Sequence, residues 1–105
     1  MMTVKQTLKQ SKAALEDYYG SRLKALVLYG SLARGRGEPG SDIDLLVLLD
    51  EPFDYFLELR RIVDLLYPIQ LETDRLISAM PAPIDEFDSG SIELYRSARR
   101  EGQRV

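Results

Sequence analysis

The chain has 105 residues, 45% of them apolar and 30% charged, which is enough for one domain built on a single hydrophobic core. It contains no cysteine and no histidine, which excludes disulfides, thiolate zinc sites, thiol nucleophiles and a Ser-His-Asp hydrolase and leaves oxygen ligands, and so magnesium, manganese or calcium, for any bound metal. A net charge of −3 with scattered cations predicts no direct nucleic-acid binding, and the absence of a long apolar run or a signal-peptide core predicts a cytoplasmic protein with no membrane association.

In chain order, Val4, Leu8, Leu15 and Tyr18 recur at helical spacing, which predicts a first helix capped by Thr3 and stopped at Gly20. Ala25–Tyr29 is a short apolar run that predicts a strand ending at Gly30. A glycine-rich segment from Gly35 to Gly40 follows, and then DIDLLVLL from Asp42 to Leu49, apolar on both faces after its acidic start. That pattern predicts a central strand with carboxylates emerging at one edge of the core. Pro52 can open a helix whose face is Phe56, Leu59, Val63 and Leu66, and which Pro68 would end. Ile69, Leu71 and Thr73 alternate with Gln70, Glu72 and Asp74, the pattern of a half-buried strand. Met80-Pro81-Ala82-Pro83 reads as a rigid turn, and Ser91 as the cap of a last helix carrying Ile92, Tyr95 and Ala98 and closed by Gly102. The order helix, strand, strand, helix, strand, helix predicts an α/β fold over residues 1–105, a small mixed sheet flanked by helices.

The chemistry concentrates in YGSLARGRGEPGSDIDLLV. A strand ending in Gly30-Ser31 and turning into a short helical segment leaves backbone N–H groups free for a phosphate oxygen, and the Ser31 hydroxyl adds a donor. Asp42 and Asp44, at i and i+2 on a strand, share one face. Two carboxylates that close repel unless a cation lies between them, and Mg²⁺ suits one or two carboxylates completed by phosphates and water. Arg34 and Arg36 flank the phosphate turn and are candidates to neutralise phosphate charge. Gly35-Arg36-Gly37-Glu38-Pro39-Gly40 fits G-x-G-x-x-G, but the dinucleotide fingerprint needs a helix straight after the strand, and Pro39-Gly40 precede a strand instead. These glycines read as a connector that folds the loop back.

Gly30-Ser31, Ala33, Gly35 and Ser41-Asp42-Ile43-Asp44-Leu45 resemble the signature of the DNA polymerase beta-like nucleotidyltransferase superfamily. The small size and the ending Arg100-Glu101-Gly102 are similar to its minimal nucleotidyltransferases. The resemblance implies a nucleotidyltransferase fold and transfer of AMP from ATP with release of pyrophosphate, supported by two Mg²⁺ (or Mn²⁺) ions. It implies Gly30 and Ser31 at the triphosphate and Asp42 and Asp44 as metal ligands. The family's third carboxylate, on a neighbouring strand, would be Glu72, with Asp74 or Gln70 as the alternatives. Minimal members pair with a helical HEPN toxin, so the implied role is an antitoxin that adenylylates this partner within a hetero-oligomer. A degenerate antitoxin acting by contact alone, and an adenylyltransferase of small molecules, are the competing expectations.

Overall fold

A computed structural model describes all residues from Met1 to Val105. Helix α1 (Val4–Tyr19) begins in a reciprocal cap: the Gln6 N–H donates to Thr3 Oγ1 at 3.1 Å, and the Thr3 N–H donates to Gln6 Oε1 at 2.9 Å. Two otherwise orphaned donors of the first turn are thereby satisfied. Gly20, at φ +56°, ends the helix as expected. Its inward stripe is Thr7, Ser11, Leu15 and Tyr19 rather than the purely apolar positions, so Tyr18 is left exposed.

After a 3-10 turn, strand β1 (Leu23–Tyr29) leads into the four-residue helix α2 (Gly30–Ala33). Strand β2 (Ile43–Leu49) lies antiparallel to β1, with Tyr29 opposite Asp44 and Val27 opposite Leu46. Helix α3 (Tyr55–Gln70) is capped by Asp54, whose Oδ1 accepts from the Leu57 N–H at 3.0 Å. It then crosses back to strand β3 (Ile77–Pro83), which runs parallel to β2. Helices α4 (Ile84–Ser89) and α5 (Glu93–Glu101) follow, and strand β4 (Gln103–Arg104) closes the sheet in the order β3-β2-β1-β4. The predicted small mixed sheet flanked by helices is therefore the observed architecture.

Three sequence expectations are corrected here. Pro68 does not end α3; the helix carries it in its last turn and runs to Gln70. Residues 69–74 consequently form the helix end and a turn, not a strand, with the Leu71 N–H bonded to Tyr67 O and the Glu72 N–H to Ile69 O. The third strand is the proline-rich segment that reads as a turn. Its prolines are tolerated because β3 is an edge strand and they fall on its outward parity. Leu76 O accepts from the Ile43 N–H of the neighbouring strand at 2.8 Å, whereas the Ile77 N–H points away from the sheet to Gln70 Oε1. Pro81 and Pro83 share the parity of Ile77, so neither removes a donor from the ladder, and the edge resists pairing with another sheet.

β2 is buried on both faces, as its unbroken apolar run requires. One face packs Ile43, Leu45, Val47 and Leu49 with Leu26, Leu28 and the inner sides of α1 and α3. The other packs Leu46 and Leu48 with Val27, Ala82, Phe87, Tyr95 and Ala98, under α4 and α5. Asp44 shares the parity of Leu46 and Leu48, so it lies on this second face where the helical cover gives out. No helix is long and apolar enough to cross a membrane.

Candidate active site

Tyr29 is the last residue of β1, and Gly30 takes a positive φ of +76° to turn the chain into α2. Only glycine adopts such a conformation without strain. A second constraint acts on the same atom: a Cβ on Gly30 would collide with Asp44 Oδ2. The Gly-Ser turn and the Asp-x-Asp strand, separated by the whole connector in sequence, are thus in van der Waals contact.

The connector is folded back by its own backbone. The Arg34 N–H bonds Gly30 O at 3.3 Å and the Arg36 N–H bonds Ser31 O at 2.9 Å, while Gly35 and Gly40 take φ +70° and +87°. Glu38 and Ser41 close a turn through Ser41 Oγ, which accepts from the Glu38 N–H at 2.8 Å. Arg75, just before β3, donates to the carbonyl of Ser41 at 2.9 Å and to that of Glu38 at 3.4 Å. The residues leading to Asp42 are therefore held from both sides.

Asp42 is exposed immediately ahead of β2, and Asp44 is half-buried within it. The Asp44 carboxyl is held above the usual carboxylate range, first by burial and then by the negative charge of Asp42, with Arg34 acting in the opposite direction. The Tyr29 phenol is pushed up as well, by burial and then by Asp44. Neither aspartate belongs to an ion pair: the acidic partners of the five salt bridges are Glu58, Asp50, Glu101 and Glu93. Arg34 is paired instead with Glu101 at the end of α5, at 3.3 Å. Two neighbouring carboxylates that repel each other are a donor set suited to one divalent cation, completed by phosphate oxygens and water.

The expected third carboxylate is not there. Glu72 is exposed in the turn after α3, where its carbonyl accepts from the Met2 N–H at 3.0 Å, and it lines a shallow cavity with Met1, Met2, Gln6 and Gln10. The helix end and the turn after it take up the positions that would have carried it as a strand residue. Asp74 is exposed ahead of β3. Gln70 is committed to structure, its amide donating to Arg75 O and accepting from the Ile77 N–H, both at 2.8 Å. No three Asp or Glu side chains come together in a group able to share a metal. Beside Asp44 on β3 stands Ser78, and on β1 Tyr29.

Gly30, Ser31, Asp42, Asp44 and Arg34 are thus brought together, whereas Glu72 is not, and Arg36 lies exposed on the connector. Three residues at the site, Tyr29, Arg75 and Ser78, are not among the candidates offered by the sequence. Tyr29 had a signal, since it adjoins Gly30 at a strand end. Arg75 and Ser78 had none, because their roles depend on where β3 runs.

A family model described as Nucleotidyltransferase domain matches residues 8–99. The chain belongs to the nucleotidyltransferase domain family. It is 40% identical over 58 residues to a protein of Methanocaldococcus jannaschii named "Putative protein adenylyltransferase MJ0604", an alignment covering 55% of this chain and 58% of the relative. It is 32% identical over 71 residues to "Putative protein adenylyltransferase MJ1215" of the same organism, covering 66% of this chain and 80% of that relative. The chain spans under three fifths of MJ0604 (58% of its length). Among solved structures, a chain of a mutant toxin–antitoxin MntA-HpeT complex shares the fold with a TM-score of 0.64 at 19% identity, over 93% of this chain and 70% of that one. A toxin–antitoxin structure with AMP-PNP gives 0.63 at 19% identity, over 91% and 70%.

Proposed function

We propose that this nucleotidyltransferase domain is a protein adenylyltransferase acting on a toxin partner, in the manner of an antitoxin. The observation that carries the reading is the contact between Gly30 and Asp44. It joins a turn with free backbone donors to a pair of carboxylates, the two halves that a nucleoside triphosphate and its cation require. The names of the M. jannaschii relatives support protein as the acceptor. The toxin–antitoxin complexes that share the fold, one with AMP-PNP, support ATP as donor and a toxin as partner; a helical HEPN protein in a hetero-oligomer is the form we propose for it.

Gly30 and Ser31 would hold the triphosphate through the backbone N–H groups of α2 and the Ser31 hydroxyl, and Arg34 would offset its charge. Asp42 and Asp44 would hold Mg²⁺, or Mn²⁺ in its place, which neutralises charge on the phosphates when bound. The reaction forms a bond between an acceptor hydroxyl oxygen and the α-phosphorus, breaks the bond to the bridging oxygen, and releases pyrophosphate. The hydroxyl proton passes to solvent or to a base.

A second reading, neutralisation of the partner by contact alone, is favoured by the two-carboxylate site. Incubation with Mg²⁺, ATP labelled on the α-phosphate and the protein encoded beside this one separates the two. Label on the partner that disappears in Asp42→Asn/Asp44→Asn is the outcome expected of the enzyme. Neutralisation without label, retained in that variant, would establish the contact-only reading instead.

A further inference from the structure

The parallel register pairs Ser78 directly with Asp44. Residues of one parity on neighbouring strands share a sheet face. The face that presents Asp42 and Asp44 therefore continues onto Ser78 and Met80 on one side and Tyr29 on the other. Along β2 it is closed by Leu46, which has no exposed surface. All of these neighbours are neutral, and the charge that does act on Asp44 from outside the pair is that of Arg34, a cation. Glu101, the carboxylate that Arg34 meets directly, is held by that arginine at 3.3 Å.

We infer that the site holds one divalent cation and not two, and that the neutral Ser78 is what fixes this number. The inference rests on the reading of the aspartate pair as a cation site. Two dications held close together repel strongly, and what tolerates them is a surplus of anionic oxygens shared between them. Here the protein offers two carboxylates, on one of which the positive charge of Arg34 already acts, and the strand position beside Asp44 that would add a third presents the Ser78 hydroxyl. One cation completed by phosphate oxygens and water satisfies the pair; a second finds no anionic protein ligand. Ser78 is half-exposed, so a longer acidic side chain there has room toward solvent.

The test is a Mn²⁺ titration of the full chain with a non-hydrolysable ATP analogue, read by electron paramagnetic resonance against nucleotide alone. The native chain is expected to bind one Mn²⁺ with the spectrum of an isolated ion, and Asp42→Asn/Asp44→Asn to weaken that binding at least tenfold. Ser78→Asp and Ser78→Glu are made side by side, so that a folding failure of one leaves the other to be read by circular dichroism and titration. Either is expected to take a second Mn²⁺ and show spin coupling between the ions. Two coupled ions in the native chain, both lost in the double asparagine variant, would overturn the inference and leave the nucleotidyl-transfer reading intact. Binding unchanged in the double asparagine variant would overturn both. Folded Ser78 variants that still hold a single ion would overturn the role given to Ser78.

Discussion

Gly30 and Asp44 touch across the β1–β2 pair, the glycine at φ +76° and the carboxylate oxygen where a side chain on that glycine would have to be. Gly30→Ala adds two separate costs. The left-handed backbone penalty is about 1–2 kcal/mol, and displacement of the Asp44 carboxylate adds to it. A total loss of about 2–3 kcal/mol is expected, or a fall of roughly 10–20 °C in Tm for a domain of this size. In a double-mutant cycle, Gly30→Ala/Asp44→Ala recovers the collision but not the backbone strain. A double variant whose loss equals the plain sum of the two singles would show that the contact is not what restricts position 30.

Burial and the charge of Asp42 both work against ionisation of Asp44. Without cation or nucleotide, the paired negative charges at neutral pH destabilise the fold. Asp44→Asn is therefore expected to stabilise the free chain and raise its Tm, the gain being on the order of 0.5 kcal/mol because Asp42 is exposed and solvent screens its charge. Added Mg²⁺ should reverse the order, raising the native Tm and leaving the variant unmoved. Thermal unfolding with and without Mg²⁺ reads both effects, and a variant less stable than the native chain in metal-free buffer would contradict the account.

The half of the site that local physics dictates is legible in the sequence. Gly30-Ser31 follows an apolar run, Asp42 and Asp44 open another, and period-2 geometry alone puts the two carboxylates on one face. What was not legible depends on a competition between elements. Leu71 and Thr73 alternate with polar residues as a strand would, yet α3 gains more by burying Leu66 and Ile69 against the sheet, and it carries Pro68 along. The strand then falls on a segment with two prolines, acceptable because their positions face away from β2. The same competition rotated the buried stripe of α3, so that Glu58 and Ile62 are inside while Phe56 and Val63 are out.

That displacement of the third strand is itself testable through Glu72. Located in the turn beside Met2, it has no access to the aspartate pair. Glu72→Gln is expected to leave AMP transfer and Mn²⁺ affinity within about twofold of native, as surface substitutions away from a site do. Asp42→Asn in parallel should abolish transfer. A tenfold loss from Glu72→Gln would restore it as a ligand and contradict the path of β3.

The charge of Arg34 acts on Asp44, and its guanidinium meets Glu101 at 3.3 Å. A triphosphate arriving at Gly30-Ser31 offers it a stronger anionic partner. Arg34→Ala should raise KM for ATP by about tenfold to a hundredfold, the loss of a charge-assisted bond of about 1.5–3 kcal/mol. Glu101→Gln removes only a competing partner and an exposed ion pair, so stability should change by less than about 1 kcal/mol, while KM for ATP holds or falls. Steady-state kinetics on both variants decide, and a KM insensitive to Arg34→Ala removes it from the site.

Away from the site, the structure rests on a buried polar pair that stabilises the α1–α3 contact. Tyr19 and Glu58 are each 4% exposed, and the Tyr19 hydroxyl donates to Glu58 Oε1 at 2.9 Å. Arg22 supplies a more distant contact to the same carboxylate at 3.9 Å. Tyr19→Phe leaves the carboxylate buried without its hydroxyl donor, at an expected cost of about 1–3 kcal/mol. Glu58→Gln keeps an acceptor and discards the buried charge, so its loss should be smaller. Burial, and then the bond to Glu58, push the Tyr19 phenol well above the usual range. The folded chain therefore keeps its proton longer than the unfolded one. The stability so contributed is complete below the ordinary phenol pKa of about 10 and is lost as the pH rises above it. Phenylalanine has no such proton, so the Tm gap between native and Tyr19→Phe should be constant from pH 7 to 9 and narrow above about 10. A gap that stayed constant through pH 11 would show that the hydroxyl is not buried against Glu58 in solution.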